Sequence, residues 1–154
     1  MLNLKTFEYT PSAKAKFATV DAAKQIDDVK SRIKALHHGT DKAGDFYRNV
    51  TALVNKYVSF RIPEIADELY KIDDAVKAGF GWELGPFETW DVLGVEKTAQ
   101  MMEASGFAPA AWVKEMTAAG NKSFYITENG KRKFYDVATK SYKDIPGADA
   151  FILL

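Results

Sequence analysis

Apolar residues recur every three or four positions through the first 120 residues, the spacing that places them on one face of an α-helix. The pattern predicts a first helix that has Thr19 as its N-cap and ends at Gly39. Its apolar residues are Ile26, Val29, Ile33 and Leu36.

The longest predicted helix runs from about residue 42 to 61, with Asp41 as its N-cap. Its apolar face is wide, so we expect a central, buried helix. The residues of that face are Phe46, Val50, Leu53, Val54, Tyr57, Val58 and Phe60.

Prolines and glycines divide the next sixty residues into short helices. Pro63 ends the long helix and begins another, whose inner face carries Ile65, Ala66, Leu69 and Tyr70. Asp73 or Asp74 is expected to cap a short helix over 75–78 that ends at Gly79. Further helices are predicted from Pro86 to Gly94, over 95–105, and from Pro109 to Gly120.

The pattern changes after Gly120. Phe124, Ile126 and Phe134 alternate with polar residues, and Asn129-Gly130 is a strong hairpin signal. A second turn over 138–140 completes a predicted three-stranded meander. The stretch 2–9 also predicts a short strand or hairpin arm.

The expected fold is therefore mainly α, with a small antiparallel β-meander near the C-terminus. We expect an N-terminal arm and linker over 1–17, a helical domain over 18–120, and the meander with a tail over 121–154. The apolar tail, Phe151 to Leu154, would suit continuation into another domain or pairing with the N-terminal arm.

Composition excludes several classes of protein. Lysine and arginine total 21, and aspartate and glutamate total 21, so no basic excess points to nucleic acid. No apolar run is long enough to span a membrane, and no secretion signal is evident. The absence of cysteine excludes disulfides and thiol chemistry and is consistent with the cytoplasm.

Few residues suggest a catalyst. The only histidines, His37 and His38, are adjacent, so they cannot easily converge on one metal or substrate. We expect them to end a helix, with a catalytic or metal role as the alternative, and we predict no metal site. The chain lacks a Gly-x-Gly-x-x-Gly fingerprint, a P-loop and a Gly-x-Ser-x-Gly elbow.

One stretch carries a specific motif, from Ile72 to Gly94. Its landmarks are Asp73, Ala75, Gly79, Gly85-Pro86-Phe87, Asp91 and Gly94. This pattern resembles the signature of the C-terminal domain of 3-hydroxyacyl-CoA dehydrogenases. The segment 61–67 looks like the second of two tandem repeats of that domain, which occur in long chains fused to an enoyl-CoA hydratase.

The resemblance implies an all-helical domain similar to the C-terminal domain of 6-phosphogluconate dehydrogenase. In such enzymes a Rossmann domain binds NAD and carries the catalytic His and Glu, so we expect no catalytic residue and no cofactor in this chain. The implied partners are that Rossmann domain and the first repeat, or a second copy as a homodimer. The parent enzyme would bind acyl-CoA and oxidise 3-hydroxyacyl-CoA in fatty-acid β-oxidation.

The resemblance also suggests one substrate-binding residue. The family has a Phe-x-x-Asn-Arg sequence on its first long helix, and Phe46 and Asn49 keep that spacing, although Val50 replaces the arginine. Asn49 is therefore a candidate, with a solvent-facing residue as the alternative.

Other residues have simple structural interpretations. Glu88 is expected to stabilise a helix N-terminus rather than to pair with Glu83 as an acid and base. The tryptophans (82, 90 and 112) are expected in the core rather than in a ligand slot. The basic residues 131–133 are expected at a solvated hairpin tip rather than on a CoA phosphate.

Two main functions follow. The first is a domain of a 3-hydroxyacyl-CoA dehydrogenase that provides packing, dimerisation and part of the acyl-side cleft. The alternative is a non-catalytic interaction module, whose sign would be exposed rings at Phe80, Trp82 and Phe87. An acyl-CoA-binding protein is a third possibility, with little support from the neutral charge.

Overall fold

The computed structural model describes residues 2–9, 11 and 15–147. Within this part of the chain, seven α-helices precede a three-stranded antiparallel sheet. The helices are α1 (Ala18–Ala23), α2 (Val29–His38), α3 (Lys42–Phe60), α4 (Leu69–Phe80), α5 (Pro86–Leu93), α6 (Val95–Ala104) and α7 (Ala111–Ala118). The strands are β1 (Tyr125–Glu128), β2 (Lys131–Asp136) and β3 (Ser141–Asp144). The predicted fold class is confirmed, although the sheet means that the chain is not all-helical.

The long helix forms where predicted, but most of its large apolar residues do not face the core. Asp41 caps α3 by accepting hydrogen bonds from the N–H groups of Ala43 and Gly44, both at 3.1 Å. The buried side consists mainly of small and polar residues: Gly44, Thr51, Ala52, Asn55, Val58 and Ser59. The large residues at 46, 50, 53, 57 and 60 are exposed, so the prediction of a buried central helix is wrong for that side.

The predicted first helix is split in two. Residues 24–28 separate α1 from α2, and Asp28 starts α2 by accepting a 2.7 Å hydrogen bond from the N–H of Ser31. Thr19 is not an N-cap, because it lies inside α1, whose N-cap residue is Phe17. The apolar pattern that begins at Ile26 therefore belongs to α2 and the residues just before it, and not to α1.

The prediction around Pro63 is wrong in one part: the long helix ends before this proline, at Phe60, but no helix begins there. Residues 61–68 form turns and bends that include a cis Ile62–Pro63 bond, and α4 begins only at Leu69. Asp73 and Asp74 therefore lie within α4 and do not cap a separate short helix. Ile65 is exposed, whereas Leu69 is buried.

The meander is confirmed. Strand β2 pairs antiparallel with both neighbours, and Tyr125 lies opposite Phe134. Asn129 and Gly130 both adopt positive φ, at 52° and 74°, which a two-residue turn between twisted strands requires. Among the described residues of the N-terminal arm, Leu2 and Tyr9 form an isolated bridge. Residues 148–154, which include the apolar tail, lie outside the described part.

The core joins the helices to the sheet. Phe124, just before β1, packs its ring against those of Phe87, Trp90 and Trp112, with centroids 5.0, 5.2 and 5.8 Å away. Phe134 of β2 lies 4.9 Å from the ring of Tyr70 in α4. Aromatic pairs at such distances stabilise a core beyond the area they bury. The sheet thus completes the core around α5.

Candidate functional site

The Gly-Pro-Phe corner (Gly85–Phe87) is built around the carboxylate of Asp73. Gly85 precedes α5 and has no side chain to cap it, and Pro86 has no N–H group. Asp73, reaching from α4, accepts hydrogen bonds from the N–H groups of Phe87 at 2.9 Å and Glu88 at 3.1 Å. One buried carboxylate therefore caps a helix that lies more than ten residues further along the chain.

Gly85 is required by the closeness of α4. A Cβ atom at this position would overlap the Cβ and Cγ atoms of Asp73. Any side chain would therefore displace the carboxylate that caps α5. This contact explains why glycine precedes proline in the motif.

Glu88 completes the cap and links three elements. Its carboxylate accepts a 2.7 Å hydrogen bond from the N–H of Gly85 and a second, also 2.7 Å, from Arg132 of β2. Lys77 of α4 lies 3.2 Å away. Burial raises the pKa of Glu88, but these hydrogen bonds and charges outweigh it and the net pKa is lowered. Glu83 lies elsewhere, near Arg32, so no paired acid and base exists here.

Asp91 attaches the sheet to the same helix. Its carboxylate accepts hydrogen bonds from the N–H groups of Phe124 at 2.7 Å and Tyr125 at 2.9 Å. The hydroxyl of Tyr125 donates a 2.7 Å hydrogen bond to Asp73, and Arg132 stacks 4.1 Å over the Tyr125 ring. The two motif aspartates thus hold α4, α5 and β1 together.

Both aspartates have raised pKa values. Burial raises the pKa of Asp73 to about 6, outweighing the hydrogen bonds from Tyr125 and Phe87. Burial likewise raises the pKa of Asp91 to about 7, against hydrogen bonds from Phe124 and Tyr125. Perturbed carboxyls can mark active sites, but here every contact just described joins secondary-structure elements.

The remaining motif residues lie at the periphery. Ala75 and Gly79 are exposed on α4. Gly94 has a φ of 87° and joins α5 to α6, a conformation that suits glycine. Pro86 and Phe87 are buried.

Asn49, the candidate substrate residue, is exposed on α3 and lies apart from the corner. It lines a cavity of about 420 Å³ together with His37, Arg48 and Thr98. Arg48 is engaged by the carbonyls of His37 and Gly39, at 2.7 and 2.6 Å, and by Asp45. No structural feature tests a contact between Asn49 and substrate, so that role stays a prediction.

The histidines end α2 as predicted, but they do not act as a charged pair there. His37 is buried, and burial with the nearby charges of His38, Arg48 and Lys97 lowers its pKa to about 4. It is therefore neutral at pH 7 and makes no charge–dipole contribution. Among the described residues, no group of three potential ligands could hold a metal ion.

The exposed apolar residues define a second feature, which we call the α3 face: Phe46, Val50, Leu53, Tyr57 and Phe60. They are 39–69% exposed and follow one another at spacings of four and three residues. Phe80 and Trp82, beside this face, are exposed too, whereas Phe87 and Trp90 are buried. Of the three tryptophans, Trp90 is thus a core residue, Trp112 is partly buried and Trp82 lies at the surface.

Sequence analysis missed Tyr125 and the role of Arg132. The sequence predicts Arg132 at a solvated hairpin tip, whereas in the structure it binds Glu88 and covers the ring of Tyr125. No local signal identifies the hydrogen bond from Tyr125 to Asp73 or the one from Arg132 to Glu88, because each spans more than 40 residues of chain. The exposed side of α3 could have been suspected from its apolar excess on two faces.

These features define a small helical domain with an attached sheet, a structural corner and one side left apolar. Comparison with known proteins agrees. The family model for the 3-hydroxyacyl-CoA dehydrogenase C-terminal domain matches residues 48–136, and the chain belongs to this family. No described helix is long and apolar enough to cross a membrane.

A similar protein is the probable 3-hydroxyacyl-CoA dehydrogenase of Bacillus subtilis strain 168. It is 43% identical over 131 residues, which cover 85% of this chain and 17% of the relative. The chain thus corresponds to a fraction of that protein's length. No solved structure matches the chain, so the similarity to the 6-phosphogluconate dehydrogenase domain stays a prediction.

Proposed function

We propose that this chain is a packing domain of an NAD-dependent 3-hydroxyacyl-CoA dehydrogenase acting in fatty-acid β-oxidation, and that it works in the cytoplasm. It covers a helical partner and shapes the acyl side of the cleft, while the catalytic His and the nucleotide belong to a Rossmann domain. The observation that carries this proposal is the α3 face.

The α3 face has the pattern of a helix–helix seam. Its five residues repeat at spacings of four and three along a helix of 19 residues, roughly 28 Å long. All five are uncharged, and an exposed apolar surface of this kind is typical of an interaction site. The partner that fits is another helix with an apolar stripe, either the first repeat of the same enzyme or a second copy of this chain.

The described residues do not fit NAD. A dinucleotide site needs a parallel strand followed by a tight turn and a helix N-terminus. The described strands form an antiparallel meander at the end of the chain instead. We therefore assign no step of hydride transfer to residues of this chain.

Self-association tests the α3 face. We expect light scattering to show a concentration-dependent dimer for the chain. The variant Leu53→Glu should be a monomer, because burying an unpaired carboxylate in the interface costs too much free energy. Leu53 is 52% exposed, so the variant should fold. Gln100→Glu, which adds the same charge at an exposed site of α6, is the control and should dimerise. A chain that stays monomeric at every concentration would contradict self-pairing through this face.

Turnover tests the division of labour. We expect no oxidation of NADH when the isolated chain is mixed with acetoacetyl-CoA, because the proposal places the catalytic groups elsewhere. NADH absorbance measures this directly. Turnover above the rate without protein would refute the proposal.

A non-catalytic interaction module is the second candidate, favoured by the same exposed face. A segment exchange with the Bacillus subtilis relative distinguishes the two candidates, because this chain matches one segment of that protein. If this chain replaces that segment and the hybrid oxidises 3-hydroxybutyryl-CoA with NAD as the unmodified relative does, the dehydrogenase role is supported. A folded but inactive hybrid favours the separate module.

A further inference from the structure

A cavity lies between α2, α3, α5 and the bend before the Gly-Pro-Phe corner. Its volume is about 430 Å³, within the range of small-molecule sites. Most of its wall is apolar, from side chains such as Ile33, Val54, Leu84 and Pro86. We call it the Asn55 cavity, after the residue discussed next. It is distinct from the cavity that Asn49 lines.

Asn55 gives this cavity one polar group that lacks a hydrogen-bond acceptor. The side chain is only 1% exposed, and its Nδ2 atom has no hydrogen-bond partner. A buried amide that lacks a partner destabilises the folded protein. A ligand that accepts a hydrogen bond would remove this penalty while its apolar part fills the cavity.

The charges around the cavity limit the ligand further. No lysine or arginine lines it, and its one ionisable acid is Glu83, whose side chain is largely exposed and lies within 4.0 Å of Arg32. A carboxylate or phosphate would find no unpaired cation, because Arg32 lies beside Glu83 and no basic residue lines the cavity. Thr51 and Thr89 add hydroxyls to the wall but no charge.

We propose that the Asn55 cavity binds an uncharged, mainly apolar small molecule with one hydrogen-bond acceptor, such as a ketone or an amide. The apolar wall takes the body of the ligand, and the Asn55 amide donates to its carbonyl oxygen. This site is independent of the proposed packing role, because it lies beside the α3 face and shares only Val50 with it.

Two probes of one shape test the proposal, acetophenone and ethylbenzene, which differ by a carbonyl. We expect both to shift the NMR signal of the Trp82 indole, and acetophenone to shift the Asn55 side-chain amide as well. Asn55→Leu should weaken the binding of acetophenone about tenfold and change the affinity for ethylbenzene by less than about threefold. Comparing the ratio of the two affinities removes differences in probe hydration.

The controls keep folding and self-association apart from binding. Asn55→Leu removes an unpartnered amide, so thermal unfolding should show it at least as stable as the parent chain. Gln100→Leu, which replaces an exposed amide of α6 that lies outside the cavity, should bind both probes unchanged. All titrations use the Leu53→Glu background, so the outcome does not depend on whether the α3 face pairs.

Three results would overturn the proposal. The first is that neither probe shifts the Trp82 or Asn55 signals, which means that the cavity holds water alone. The second is that Asn55→Leu leaves the ratio of the two affinities unchanged. The third is that benzoate, with the same ring and a negative charge, binds as tightly as acetophenone.

Discussion

Asp73 shows how a single residue type can have different meanings in sequence and structure. Read locally, an aspartate before an alanine-rich stretch indicates an N-cap, and Asp73 is indeed a cap. It caps α5, however, and not the helix that contains it. Sequence analysis identified the motif residues around it, but the partner in each contact is set by the crossing of α4 and α5.

Substitution at Gly85 tests this contact. We expect Gly85→Ala to lower the free energy of unfolding by about 2 kcal/mol or more, because the new Cβ overlaps Asp73 and breaks the cap of α5. Gly79→Ala is the matched control, since nothing lies within 4 Å of a Cβ there and its φ is unstrained. Gly79→Ala should raise the free energy of unfolding by up to about 1 kcal/mol, as expected for alanine in a helix. Urea denaturation measures both, and equal effects would contradict the contact.

At the level of elements, the periodic pattern was a good guide to where helices and strands form and a poor guide to which side is buried. The bounds of α3, α5, α6 and the meander agree closely with expectation. The α1–α2 break and the turns over 61–68 were missed, because Ile26 and Ile65 continue the helical spacing although both lie outside the helices. The buried side of α3 was missed because small and polar residues, such as Ser59 and Asn55, give little hydrophobic signal.

The link between α5 and the sheet depends on Asp91. We expect Asp91→Ala to speed hydrogen exchange at the amides of Phe124 and Tyr125, and to cost about 1–3 kcal/mol, because both buried N–H groups lose their acceptor. Asp144→Ala removes only an exposed carboxylate of β3, 3.7 Å from Lys133, and should change little. Unchanged exchange in Asp91→Ala would contradict the link.

For the whole molecule, three buried ionisable groups have folded pKa values shifted by burial in ways that affect stability between pH 4 and 7, beside carboxyls of lowered pKa such as Glu88. Folding raises the pKa values of Asp73 and Asp91 above the ordinary 3.8, so their contribution is fully present below pH 3.8 and is lost as pH rises to about 7. His37 acts in the opposite direction. Its pKa is lowered from 6.5 to about 4, so its contribution is present above pH 6.5 and is lost as pH falls to 4.

The variant His37→Gln separates these opposing effects. We expect its unfolding free energy to fall as pH rises from about 5.5 to 7, because carboxyls of lowered pKa such as Glu88 are already ionised there in both states and Asp73 and Asp91 are not. Relative to the variant, the parent chain should lose stability as pH falls from 6.5 to 4. Urea denaturation at several pH values measures the difference, and a difference that is constant over that window would show that His37 titrates normally in the folded chain.

Local spacing, turn chemistry and residue order were enough to predict the helical class, the terminal meander and the motif from Asp73 to Gly94. Three features follow only from the tertiary packing: Asp73 caps α5, Arg132 binds Glu88, and the large residues of α3 face outward. Each of these depends on how distant segments pack. A residue's neighbours along the chain do not specify which distant carboxylate reaches its N–H, or which of two apolar helix faces the core will cover.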